Sequence, residues 1–429
     1  MSLLRDLLGG SGASAPPSAA AVSLSRSSAS FQATNDRHDY EMVQLIGIKA
    51  SGAHSVYLCK FKPTQALVAV KKVSLEHVEY SAWEAEMEEL RRLRWLKHPN
   101  IISVSHTFIS RHELYVVSPF FSGGSCGTLL QHTFKSGLSE PLIAYLLRET
   151  LRALAYIHSN WFIHRDVKAS NIMFDSTGAV ALRDLSHAVS MLRDGKRQYI
   201  AYQFAGSSPE SVPWTAPEVL EQNLLGYDNK ADIYSLGITA LELATGQAPY
   251  YGLPPTKILL LKLLGPSPRL EDMILDSHMR FSKSFRTFID LCLNPDPNER
   301  PSALKLLDHP FFKQVRRRSS LIPQLVQSIP PLTQRIKRDS AWSATLAASS
   351  EDLRIFDDES ARSSAMLDDQ DNGQDNGQYN GQDNGQPANY AGDDSMLDAA
   401  DSVATLQPTF SAAQVHDLNA PELKESECL

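Results

Sequence analysis

One stretch constrains this chain more than any other: His164-Arg165-Asp166-Val167-Lys168-Ala169-Ser170-Asn171, followed by the apolar run Ile172-Met173-Phe174. A carboxylate, an ammonium and a carboxamide stand at fixed offsets on one turn in front of a strand-like segment. The carboxylate suits taking a proton from a hydroxyl, the ammonium suits a phosphate, and the amide oxygen suits a hard divalent cation. Three such residues alone would mean little. At this spacing, ahead of an apolar β run, they are specific, and the chain on either side must hold the turn still.

The spacing H-R-D-x-x-x-x-N is that of the protein-kinase catalytic loop, and its companion motifs flank it in order. Asp166 is the candidate base, with Lys168 and Asn171 beside it. Val68-Ala69-Val70-Lys71 reads as the strand whose lysine grips the α- and β-phosphates of ATP. Glu89, nine residues before His98, is its expected ion-pair partner on the following helix, with Glu86 and Glu88 close enough to compete. Asp184-Leu185-Ser186 stands thirteen residues after Asn171, where a magnesium-binding Asp-Phe-Gly belongs. Asp184 and Asn171 are therefore the candidate Mg2+ ligands, Leu185 can fill the Phe packing role, and Ser186 lacks the freedom of glycine. Ser118-Pro119-Phe120 falls at the hinge, where adenine would bond to backbone. Glu218 of Ala216-Pro217-Glu218 is expected to pair with Arg300, and Asp232 to brace the catalytic-loop backbone.

The glycine-rich loop departs most from this pattern. Gly47-Ile48-Lys49-Ala50-Ser51-Gly52 has Lys49 where a second glycine is expected, and Val56 lies nine residues after Gly47. Two readings stand: Lys49 lends its charge to a phosphate beside Gly47 and Gly52, or the hairpin has no nucleotide role.

The order of elements places these motifs in an α+β, bilobal protein-kinase fold with a small β-rich lobe and a larger helical lobe. Strands are expected at 41–46, 55–60, 66–73, 101–109 and 113–118, with a helix at 84–96. Helices are then expected at 141–159, 228–245, 255–264, 282–292 and 302–307. The domain is drawn over 39–313, with lobes at 39–118 and 122–313. Residues 1–38 form a Ser/Ala-rich arm with no apolar signal core, expected to be disordered. Residues 314–429 open with the basic run Arg316-Arg317-Arg318-Ser319-Ser320, which reads as a solvated helix end or, more sharply, as a nuclear signal or a basic-directed phosphorylation site. They continue through a tetrapeptide repeat at 371–386 too polar to build a core.

No run of about 18 apolar residues is present, so no membrane function is expected. The four cysteines show no metal or disulfide spacing and fit a reducing compartment, so a cytoplasmic location is expected, with shuttling to the nucleus if the basic run is a nuclear signal. The net charge of −8 hides a split: residues 339–429 hold 19 acids and 3 bases, a charge of −16, leaving the rest near +8. Anionic nucleotides or the chain's own tail account for the positive body, and no nucleic-acid role is needed.

Finer sequence features narrow the family. Val167-Lys168-Ala169-Ser170, the segment from Pro213 to Leu220, Asn223-Leu224-Leu225-Gly226-Tyr227-Asp228, and the run from Asp232 to Ala240 together resemble the STRAD pseudokinases, adaptors related to the Sterile-20 kinases. The stretched glycine loop and Phe311-Phe312-Lys313-Gln314-Val315-Arg316-Arg317 are similar as well. The resemblance covers about 39–325. It implies an ATP-holding adaptor that activates a liver kinase B-type Ser/Thr kinase, clamped by a helical-repeat scaffold of the calcium-binding-protein-39 type. The adaptors have usually lost several catalytic residues, whereas Lys71, Asp166, Lys168, Asn171 and Asp184 all stand here, with Ser211 as a further hydroxyl. An active Sterile-20-like kinase is thus the alternative, and a scaffold without nucleotide a third. The chain ends Ser426-Glu427-Cys428-Leu429 in place of the alpha adaptor's Trp-Glu-Phe, so scaffold contact is expected from the folded domain.

Overall fold

The computed structural model describes residues 34–48, 54–203, 209–222, 224–273, 281–317, 321–330 and 332. Its first half is one antiparallel sheet. Strands β1 (Tyr40–Ile48), β2 (His54–Phe61), β3 (Ala66–Ser74), β4 (His106–Ser110) and β5 (Glu113–Pro119) lie in the order β1-β2-β3-β5-β4. Helix α1 (Tyr80–Trp95) connects β3 to the rest. Alternating side chains give the sheet two apolar faces. Val73, Leu114 and Val116 meet Met87 and Leu90 of α1 on one side. Tyr40, Phe61, Phe108 and Tyr115 close the other, with Phe108 and Tyr115 stacked at 4.9 Å.

The fourth strand is shorter than the sequence pattern suggests. Ile101 forms a single parallel bridge with Leu182, the Ile102 N–H donates to the Leu182 carbonyl at 3.0 Å, and the Leu182 N–H donates to the Asn100 carbonyl at 2.8 Å. These backbone groups are committed to the larger lobe, so they cannot join the small-lobe sheet, and pairing begins only at His106.

The larger lobe is built from β6 (Gly124–Ser125), α2 (Cys126–His132), α3 (Glu140–Ser159), β7 (Phe162–Ile163), β8 (Ile172–Phe174) and β9 (Val180–Leu182). These are followed by α4 (Pro217–Glu221), α5 (Lys230–Thr245), α6 (Pro255–Leu264), α7 (Leu270–Met273), α8 (Lys283–Cys292) and α9 (Ala303–Leu306). Strands β6, β8 and β9 form a small sheet below the hinge. Helix α5 is apolar nearly all round and is buried over almost its whole length, as a central helix must be. Helix α3 carries Pro141 in its first turn, where a missing N–H costs nothing. The described residues contain no helix long and apolar enough to cross a membrane.

The sequence reading closes the folded domain at 313. A further helix, α10 (Leu321–Ser328), follows. It places Ile322, Leu325 and then Ile329 in the large lobe's apolar cluster. Of the arm expected to be disordered, residues 34–38 are built into the fold: Arg37–Asp39 form a 3-10 turn capped by Asp36, and Asn35 Oδ1 lies 2.7 Å from His106 Nε2. Residues 1–33, Lys49, Gly52, Arg318, Ser319, Ser320 and the repeat tail lie outside the described residues.

Candidate functional site

Between the lobes lies a cavity of about 430 Å³. Its walls combine Val56 of β2, Ala69 of β3, Val116 of β5 and Met173 of β8, all apolar, with a charged end at Lys71, Glu89 and Asp184. Gly47, Ser118 and Phe120, each expected from the sequence, line it too. Gly47 pairs with Val56 across β1–β2, where a Cβ on the glycine would lie 3.3 Å from the Val56 Cβ.

Lys71 does meet Glu89, Nζ to Oε2 at 3.3 Å, but Glu86 holds it more closely, at 2.6 Å to Oε1. Glu86 in turn lies 3.5 Å from His54 Nε2. Burial works against the Lys71 charge, yet Glu89 and Glu86 hold the ammonium above the usual lysine range. The two acids divide. Burial opposes ionisation of both, but His54 and Lys71 keep Glu86 low, whereas desolvation with Asp184 and Glu86 nearby raises Glu89. Sequence spacing chose between Glu86 and Glu89, although three residues apart on a helix both face the same side.

Helix α1 is tied to the Asp184 segment by two further groups. Arg92 Nη1 donates to the carbonyls of Leu185 (2.8 Å) and Ser186 (3.2 Å), and the Leu185 N–H donates to Glu89 Oε1 at 3.3 Å. Arg92 was not singled out in the sequence. It is a long cation with no motif spacing, and its partners are main-chain groups more than 90 residues away.

Around the catalytic turn, Asp166, Lys168, Asn171 and Ser211 converge. Ser211 Oγ donates to Asp166 Oδ1 at 3.0 Å, and Lys168 Nζ lies 2.9 Å from both Asp166 Oδ1 and Ser211 Oγ. Asn171 Nδ2 donates to Asp166 Oδ2 at 2.7 Å. The turn itself is strained at Arg165, whose φ of 69° lies in the left-handed region that ordinary residues avoid, as does the φ of 70° at Asp184 in the neighbouring segment. Asp232, on α5, over-determines it. Its Oδ2 accepts from the His164 N–H at 2.8 Å and its Oδ1 from the Arg165 N–H at 2.7 Å. Burial opposes its charge, but His158 at 2.8 Å keeps its carboxyl below the usual range. From the other end of α5, Glu242 accepts from the Ala169 N–H (3.0 Å) and Trp214 Nε1 (2.9 Å). Burial, only partly offset by those bonds, pushes its carboxyl up to about 7. Glu218 and Arg300 form the expected pair, bidentate at 2.6 and 2.9 Å, with Arg300 1% exposed.

Both candidate metal-ligand oxygens have partners within the chain. Arg183 Nε donates to Asn171 Oδ1 at 3.3 Å. Ser186 donates to Asp184 Oδ1 from its N–H and its hydroxyl. Burial raises the Asp184 carboxyl, but Ser186, Arg183 and nearby histidines outweigh it and hold the group well below the usual range. The oxygen donors remain of the right type for Mg2+, and the cavity's size and apolar-to-cationic gradient fit a nucleoside with phosphates at Lys71.

The family described as protein kinase domain matches residues 40–312. STE20-related kinase adapter protein alpha of Bos taurus is 36% identical over 360 residues, covering 74% of this chain and 96% of that protein. Its Homo sapiens counterpart is 38% identical over 333 residues, 68% of this chain and 77% of the relative. The serine/threonine-protein kinase fray2 of Dictyostelium discoideum is 37% identical over 301 residues, 70% of this chain but 28% of that protein. With its catalytic turn, its lysine–glutamate pair and its bilobal cavity all in kinase positions, the chain belongs to the protein kinase family and, within it, to the STE20-related kinase adapters.

Proposed function

We propose that this chain is an ATP-binding pseudokinase adaptor, which switches on a Ser/Thr kinase of the liver kinase B type by holding it in its active conformation. The observation that carries this reading is the internal fastening of the cavity. Arg92 and Glu89 lock α1 to the Leu185 backbone, and Lys71 is shared between two carboxylates. A domain tied shut by its own side chains presents one fixed surface, which is what population shift of a partner requires. Exposed apolar side chains are available for partner contacts: Leu260 and Leu264 on α6, and Tyr80 and Trp95 on α1.

Bound ATP would supply polyphosphate charge to the Lys71 end and, with Mg2+ on Asn171 and Asp184, a transferable phosphoryl group. In this chain Lys71 would orient the phosphates, and the Ser118–Phe120 backbone would seat the base. Arg183 Nε occupies one lone pair of Asn171 Oδ1 and leaves the other for a metal.

A second reading, a working Ser/Thr kinase, is favoured by one specific observation. Asp166 already accepts from a serine hydroxyl at 3.0 Å with Lys168 alongside, the arrangement a proton acceptor and a phosphate-neutralising lysine need. The full chain is therefore assayed for ATP-dependent thermal stabilisation with and without Mg2+, for phosphate transfer, and for activation of the partner kinase, as wild type and as Asp166→Asn. The adaptor reading expects nucleotide stabilisation and partner activation that survive Asp166→Asn. Phosphate transfer abolished by Asp166→Asn, with partner activation lost alongside, would replace it with the kinase reading.

A further inference from the structure

The family match ends at residue 312, yet a side chain twenty residues later, Leu332, forms part of the cavity wall. The chain reaches that point along a defined path. Ile322 is 0% exposed in the large-lobe core, and Pro323 packs beside Gly178 in the turn between β8 and β9. Ile329 is buried next. Leu332 then sits against Gly124, its Cδ1 2.7 Å from where a Cβ on that residue would lie, and is itself 7% exposed. Gly124 has a φ of 73°, so both its backbone conformation and the room it leaves call for glycine. The neighbouring wall is polar, with Ser125 and Thr128 from the start of α2. One apolar side chain close to two hydroxyl-bearing residues gives this end of the cavity the mixed apolar and polar character that suits a sugar.

We infer that residues 321–330 and Leu332 act as a strap completing the cavity, and that Leu332 is a positioning residue for the nucleoside half of the ligand. This rests on the nucleotide reading above. The strap lies across the β6–β8–β9 sheet, and Leu332 covers the Gly124 side of the cavity. Its effect falls on the base and sugar, whereas Lys71 acts on the phosphates at the far end.

The test is titration calorimetry on the full chain with adenosine and with ATP, for wild type, Leu332→Ala, Leu332→Met and Lys71→Met, alongside the ligand-free thermal midpoint of each. Leu332→Ala is expected to weaken adenosine and ATP by the same factor, about three- to tenfold, as loss of part of one apolar contact should. Leu332→Met should restore most of that loss, because it refills the same volume. Lys71→Met should weaken ATP alone. Equal affinities for wild type and Leu332→Ala would overturn the strap while leaving the nucleotide reading intact, and tighter binding by Leu332→Ala would overturn it in favour of a plug. A wild-type chain that binds neither ligand would overturn the nucleotide reading itself, and this inference with it. Should Leu332→Ala lower the ligand-free midpoint, the Met variant and the adenosine-to-ATP ratio still separate a wall from general loosening.

Discussion

Glu242 is a carboxyl with no charged partner in contact, held by two N–H donors in a buried site. Its folded-state value near 7 lies above the 4.5 of a free glutamate. The folded protein therefore keeps a proton there that the unfolded chain gives up. The stability tied to this proton is complete below pH 4.5, declines as pH rises toward 7, and stays lost above it, an amount of about 3 kcal/mol. Glu242→Gln keeps the acceptor and removes the titration. Urea unfolding of both proteins at pH 4.5 and 7.5 should show the difference between them shift in the variant's favour by about that amount at the higher pH. A constant difference would mean that Glu242 is not proton-bound in the fold. Sequence spacing gave no hint of this residue. It lies outside every kinase motif, and its partners, Ala169 and Trp214, are brought to it only by the packing of α5 under the catalytic turn.

Elements differ in how plainly the chain announces them. Helix α6 runs over the expected 255–264, because a proline at its start and Gly265 at its end bound an apolar run. Strand β3 was legible from its β-branched alternation. Helix α2 was not: Cys126-Gly127-Thr128 reads as a loop, and the helix stands because Ser125 caps it through the Thr128 N–H and Gly127 lets it approach Ser170. Helix α10 carried a signal that went unused. Ile322, Leu325, Ile329 and Leu332 recur at helical intervals, but the basic run before them marks a change of composition that looks like the end of the domain. The site motifs were legible because their chemistry fixes both residue type and order; Arg92 and Arg183 were not, because they act on backbone and amide groups that only the fold brings near. At this scale Glu218 and Arg300 tie α4 to the segment before α9. Arg300→Met would leave Glu218 without its guanidinium, and a loss of about 3–5 kcal/mol in urea unfolding is expected. Less than about 1 kcal/mol would show that the pair is dispensable to that anchoring.

Across the whole molecule, charge is divided between a body near +8 and a terminal stretch of −16. Exposed charges of opposite sign attract until salt screens them, over about 10 Å at 0.1 M. On the proposed nucleotide reading, the terminal stretch would compete with ATP for positive charge on the body. Removing residues 339–429 should tighten ATP binding at low salt, with the gain fading by about 0.5 M. Unchanged affinity at low salt would dismiss the competition.

The single bridge from Ile101 to Leu182 bears on how the two lobes can move. The chain passes between them covalently at Phe120–Phe121, and the Asn100–Ile102 backbone is fixed to the large lobe at a second place. A panel held on two pins turns about the line that joins them. Once Arg92 and Glu89 release the Leu185 segment, sideways shear and corkscrew rotation would still have to break the second pin, two backbone hydrogen bonds and the Asn100 side-chain bonds to Glu149 and the Val180 carbonyl. Opening of the cavity is thereby confined to one swing, and whatever grips both lobes from outside needs to oppose only that swing to keep the domain shut.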